Sequence, residues 1–86
     1  MKWDHDDYEE WINQGHPINA KILELDISYY DIKSLEPIKN LINLKKLYCR
    51  KSNIESLEPI NNLVKLKILD CAQNQIQSLE TNKKFN

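Results

Sequence analysis

The sequence predicts an α/β repeat fold. The expected architecture is a stack of repeats with three short strands on one side. 3₁₀ or irregular returns run along the other side, and a helix caps the N-terminal end. Three observations carry this expectation: an internal period of 22, a change of apolar spacing within each period, and helix signals ahead of the first repeat. Ser34-Leu35-Glu36-Pro37-Ile38-Lys39-Asn40-Leu41 recurs as Ser56-Leu57-Glu58-Pro59-Ile60-Asn61-Asn62-Leu63, a shift of 22. The same shift superposes Leu25, Leu47 and Leu69, then Ile32, Ile54 and Ile76, then Leu35, Leu57 and Leu79.

Within each repeat the spacing assigns the elements. Leu25 and Ile27, Leu47 and Cys49, and Leu69 and Cys71 stand two apart, as the inward residues of a short strand do. Leu35, Ile38 and Leu41 stand three apart, as do Leu57, Ile60 and Leu63, which suits a 3₁₀ return. Pro37 and Pro59 lack an N–H and have a fixed φ, so they fit the first turn of that return. With Ile22, Leu44 and Leu66 opening each repeat, these positions form the expected core, because one unit cannot bury its apolar face alone. Residues 1–21 read as a helical cap and connector, 22–43 as the first repeat, 44–65 as the second, and 66–86 as a partial third with a tail.

The motif Leu66-x-x-Leu69-x-Cys71-x-x-Asn74-x-Ile76-x-x-Leu79 resembles the leucine-rich repeat consensus in its 22-residue subtype, as in phosphatase regulatory subunits and internalins. The resemblance spans Ile22 to Leu79. It implies a right-handed, curved solenoid with three parallel strands on its concave side and 3₁₀ or irregular returns on its convex side, whose concave sheet binds another protein. The asparagine position of the consensus holds Tyr30, Ser52 and Asn74. Asn74 is expected to make the family's bonds to loop backbone in full. Ser52 is expected to make them in part with Asn53 compensating, and Tyr30 not at all, leaving the first turn irregular.

At the N-terminal end, residues 4–14 read as a helix. Asp4 is the N-cap and Asp7 completes an approximate capping box; Trp3 and Tyr8 occupy the positions of a hydrophobic staple. Tyr8, Trp11 and Ile12 share one face, and Gly15 is the expected stop. The other end has no comparable cover. After Leu79 the repeat pattern lapses into Thr81-Asn82-Lys83-Lys84-Phe85-Asn86, so either Phe85 folds back as a plug or the last rung docks on something else, such as a second copy of the chain.

Composition narrows the function. Twelve Lys and Arg against thirteen Asp and Glu give a net charge of −1, which offers no bulk attraction to nucleic acid or an anionic membrane. No apolar run reaches the length of a membrane-spanning helix, and the acidic start lacks the apolar core of a signal peptide. Two cysteines without such a signal point to reduced thiols and a cytoplasmic setting. Cys49 and Cys71 fall at the same inward position of adjacent rungs, as core thiols or as a redox pair. The single glycine excludes Gly-rich phosphate loops, and no nucleophile–base pair or ligand constellation emerges, so neither enzyme activity nor a cofactor is expected. His5 among Asp4, Asp6 and Asp7 reads as a solvated helix start, because consecutive helical residues fan around the axis and cannot share one ion. His16 has no identifiable partner.

Strand alternation sends Glu24 and Asp26, Lys46 and Tyr48, and Ile68 and Asp70 to the concave surface, with Tyr29 and Arg50 just beyond. These eight residues are the expected partner-binding positions. A basic middle rung between acidic neighbours is open to two readings. It is either a set of structural cross-strand pairs such as Glu24 with Lys46, or a patch in which Tyr29, Tyr48, Arg50 and Ile68 anchor a protein partner. The expected function is therefore a non-enzymatic interaction module. The alternative is a self-associating piece of a larger repeat array, forming a homodimer through its C-terminal edge.

Overall fold

The computed structural model describes residues 1–76. Strands β1 (Lys2–Trp3), β2 (Glu24–Asp26), β3 (Lys46–Tyr48) and β4 (Ile68–Asp70) form one parallel sheet in chain order. The register advances by one repeat period per strand: Glu24 pairs with Lys46 and Lys46 with Ile68, while Leu25, Leu47 and Leu69 align on the next row. Behind the sheet run two 3₁₀ segments, Glu36–Asn40 and Glu58–Ile60, each with its proline in the first turn. The threefold turn brings Leu35, Ile38 and Leu41, and then Leu57, Ile60 and Leu63, onto the buried side.

Among the described residues the sheet has four strands where the periodicity predicts three. β1 pairs with β2 at Lys2–Glu24 and Trp3–Leu25, so the cap contributes its own strand before the helix begins. Trp3 lies one full period before Leu25, which is the signal in the sequence that points to this strand. Two amides of the first repeat, Leu23 and Glu24, donate to the Met1 carbonyl, so the edge of β2 is covered by paired backbone.

Helix α1 (His5–Asn13) forms as its signals predict. Asp4 accepts from the Asp7 amide at 3.1 Å and Asp7 accepts from the Asp4 amide at 3.1 Å, closing the capping box. Gly15, at φ 90°, ends the helix: its amide donates to Ile12 and that of His16 to Trp11, a Schellman arrangement. The two residues expected to form the staple meet the same indole: the Trp3 and Tyr8 rings pack on Trp11 with centroids 5.7 Å and 5.9 Å away. Trp11 is 3 % exposed, and its Nε1–H donates to the Pro17 carbonyl at 2.9 Å. The connector is then tied to the first repeat, with Asn40 Nδ2 donating to the His16 carbonyl and Asn43 Nδ2 to that of Ala20. Both tryptophans therefore pack inside the cap.

The turns after the strands depart from one another as the asparagine position does. Asn74 Nδ2 donates to the carbonyls of Cys49 at 2.7 Å and Cys71 at 2.9 Å; its Oδ1 accepts from the amides of Ser52 at 2.8 Å and Ile54 at 3.0 Å. Ser52 is fully buried, and its side chain adds only Oγ, which donates to the carbonyls of Ile27 and Arg50. Asn53 does not compensate for it on the loop backbone: its Nδ2 donates instead to the Asp31 carboxylate at 3.0 Å. Tyr30 stacks on His5 of the cap. Its turn closes through two successive i→i+2 backbone bonds, from Ile32 to Tyr30 and from Ser34 to Ile32. Tyr29, Lys51 and Gln73 share a left-handed φ at equivalent positions; the second left-handed residue is Asn53 in one turn and Lys33 in the turn before it.

Cys49 is buried and Cys71 half-buried, and both are free thiols. Burial pushes the Cys49 thiol up to about 12 and the Tyr8 phenol to about 12. In the unfolded chain these groups ionise from about pH 9 and pH 10. The unfolded state then binds fewer protons than the native one, so stability falls as pH rises through this window. Urea midpoints measured from pH 7 to pH 11 are expected to hold level to about pH 9 and then decline, with the decline reduced in Cys49→Ala relative to its own value at pH 7.

Candidate functional site

The solvent face of the sheet gathers six of the eight predicted residues into two rows. Glu24, Lys46 and Ile68 are in register in one, and Asp26, Tyr48 and Asp70 in the other. Tyr29 and Arg50 follow in the turns just beyond β2 and β3. The intervening Leu25, Leu47 and Leu69 point into the core, which fixes the orientation of both rows. Lys46 reaches Glu24 at 3.8 Å, and Lys2, a residue outside the predicted set, reaches the same carboxylate at 3.4 Å from β1. Arg50 turns the other way and donates to Asp70 at 3.0 Å. Lys46 and Arg50 of the middle rung thus serve opposite neighbours.

The second pair perturbs both partners. The Ala72 amide and then the Arg50 guanidinium hold the Asp70 carboxyl below its ordinary range, and Asp70 in turn raises Arg50. Tyr29 adds a further favourable interaction with Arg50. All these pairs are solvent-accessible, a setting in which an ion pair contributes about 0–1 kcal/mol. Beside them stand Tyr48, half-buried on β3, and Ile68, 40 % exposed on β4, an aromatic and an aliphatic side chain on the same face.

At one end the face runs into a cleft of ≈ 260 Å³. Asp26, Tyr29 and Tyr30 line one side, and Asp4, His5 and Asp6 at the start of α1 line the other. His5 is not solvated as expected. Its ring stacks on Tyr30 at 3.5 Å with an interplanar angle of 5°. No sequence spacing announces this contact, because the partners lie on different elements separated by the whole connector and β2. His16 packs the edge of its ring near Trp11, and its buried Nδ1 has no hydrogen-bond partner among the described residues. Among the described residues no group of three or more His, Cys, Asp or Glu side chains is arranged to hold a metal ion.

A parallel sheet advancing by a fixed offset, with 3₁₀ returns behind it and an asparagine-bonded turn, defines a repeat protein. The family described as Leucine Rich repeats (2 copies) matches residues 42–84, half of the chain. The chain belongs to the leucine-rich repeat family. The match takes in β3, β4 and the turn built on Asn74; the first repeat, with Tyr30 in the asparagine position, precedes it. No curated protein and no solved structure matches the chain. Domains of this family generally mediate protein–protein interaction without catalysis. No helix among the described residues is long and apolar enough to cross a membrane.

Proposed function

We propose that this chain is a non-enzymatic interaction module that binds a protein partner through the solvent face of its sheet, the concave side of a short solenoid of the 22-residue subtype, in a reducing, cytoplasmic compartment. The observation that carries this reading is the grouping of Tyr48, Arg50 and Ile68 on one face. A half-buried tyrosine, an arginine and an exposed isoleucine stand on or beside adjacent strands whose positions are fixed by a buried leucine row. Tyrosine and arginine are the types that dominate interface energies when water is excluded around them. The flanking ion pairs supply a polar rim and contribute too little to stability to account for the face by themselves.

Tyr48→Ala and Arg50→Glu are the variants that test it. Each is expected to abolish partner capture while leaving the circular dichroism spectrum and thermal midpoint close to those of the parent. Loss of folding in these variants would assign the residues to structure; capture at parental levels would remove the face from consideration.

A further inference from the structure

The geometry points to the cleft between the start of α1 and the loop after β2 as a receptor for a basic side chain, arginine foremost, presented by the bound protein. This inference rests on the reading of the sheet face as a protein-binding surface and names the chemistry of one contact on it.

Glu24 is bracketed by Lys2 and Lys46, and Asp70 holds Arg50. Asp26 differs: one oxygen accepts the Ser28 amide at 3.1 Å, and among the described residues no cation reaches it. The repeat shows what is different about its setting. Asp6 precedes Asp26 by the same interval at which Arg50 precedes its partner Asp70. In sequence, an acid thus stands in the cap at the interval where the repeat has an arginine. Asp4 and Asp6 share the cleft with Asp26, and its lining contains no lysine or arginine.

The walls add aromatic faces. Tyr29 is 66 % exposed and Tyr30 46 %, with the back of Tyr30 covered by His5. A planar, weakly hydrated guanidinium stacks on a tyrosine ring and donates in parallel to a carboxylate, two contacts that an ammonium makes less well. The chain's own arginine, Arg50, already spends its guanidinium on Asp70. The cleft opens beside the row holding Asp26 and Tyr48, so a partner lying on the sheet face can extend one side chain into it.

The test follows backbone amide resonances of the full chain while N-acetyl-arginine methylamide is added. Parallel titrations use the neutral isostere N-acetyl-citrulline methylamide and the lysine analogue. Saturable shifts are expected at Ser28, Tyr29 and Tyr30 with the arginine probe, with citrulline about tenfold weaker or more. Asp26→Asn keeps an acceptor for the Ser28 amide and is expected to weaken arginine binding about tenfold. Tyr29→Asn suits the left-handed φ of 69° and is expected to weaken it several-fold without harming the fold. Citrulline or lysine binding as tightly as arginine, an absence of saturable shifts, or undiminished binding in Asp26→Asn would overturn the assignment. If the probe is ignored while Tyr48→Ala and Arg50→Glu still abolish capture, the cleft assignment fails and the sheet-face reading stands. If the probe binds but those two variants capture normally, the sheet-face reading is the one that fails.

Discussion

Trp11→Ala is expected to cost about 3–5 kcal/mol of folding stability, the usual consequence of emptying a buried tryptophan site. The indole fills the space between the cap and the first repeat, in ring contact with Trp3, Tyr8 and His16. It also donates to Pro17, which starts the connector tied down by Asn40 and Asn43. A domain of this size has a total stability of roughly 5–15 kcal/mol, so the loss would remove much of it. Because repeats support one another only through neighbours, the damage should be graded along the chain. Hydrogen exchange is expected to accelerate most at the amides of Ile27 and Tyr29, which bond across to the second repeat, and less at those of Cys49 and Lys51. Trp11→Phe keeps most of the packing and loses the Nε1 bond, so it should sit much nearer the parent. A loss below about 1 kcal/mol in Trp11→Ala would mean that the repeats stand without their cap.

The second large effect is expected at Asn74. Its side chain is the common partner of two amides and two carbonyls that otherwise have no place in the sheet ladder. Asn74→Ala removes these four bonds and a longer one to the Ala72 carbonyl, with an expected cost of about 2–4 kcal/mol given roughly 1–3 kcal/mol for each group left unsatisfied and partial hydration at this half-buried position. Asn74→Asp is the sharper variant. It retains acceptors for Ser52 and Ile54 but turns lone pairs toward the Cys49 and Cys71 carbonyls, so it should be at least as damaging as alanine. Urea unfolding of both variants checks the ranking; an aspartate variant as stable as the parent would show that the donor half of the side chain is dispensable. Ser52→Ala, which removes one hydroxyl that donates to Ile27, should cost only about 1 kcal/mol.

The two sites also show what could be read from the residues and what could not. Core positions from Ile22 to Leu69 follow directly from the period of 22, since the same physical demand, a leucine row facing inward, recurs on every rung. Ile32 and Cys71 are only half-buried, at the first turn and just past the last described strand, where stacking is least complete. Local signals were equally legible in α1: Asp4, Asp7 and Gly15 act through bonds to residues a few positions away. The fourth strand was harder to see because β1 is too short to show any alternation; only the one-period interval from Trp3 to Leu25 marks it. The expectations at Leu79 and Phe85, and with them the C-terminal docking edge, fall outside the described residues.

Of the functional surface, strand alternation placed Glu24, Asp26, Lys46, Tyr48, Ile68 and Asp70 on one face, which is a consequence of backbone geometry alone. The pairing pattern was less determined. A basic rung between acidic ones admits several partnerships, and position along the rung decides among them: Lys46 reaches back to Glu24 while Arg50 reaches forward to Asp70. The cleft could not be read at all, because it is made where the cap helix meets the loop after β2, and the His5–Tyr30 stack depends on that tertiary meeting.

Site-specific photocrosslinking tests the central claim most directly. p-Benzoylphenylalanine is installed in place of Tyr48 or Ile68 on the sheet face and, as a control, in place of Lys39 on the opposite side, and each protein is irradiated in extract from the cells that make it. The sheet-face reading predicts one discrete adduct of the same mass from positions 48 and 68, suppressed by excess unlabelled chain, with none from position 39. Adducts of equal yield from all three positions, or adducts from position 39 alone, would contradict it.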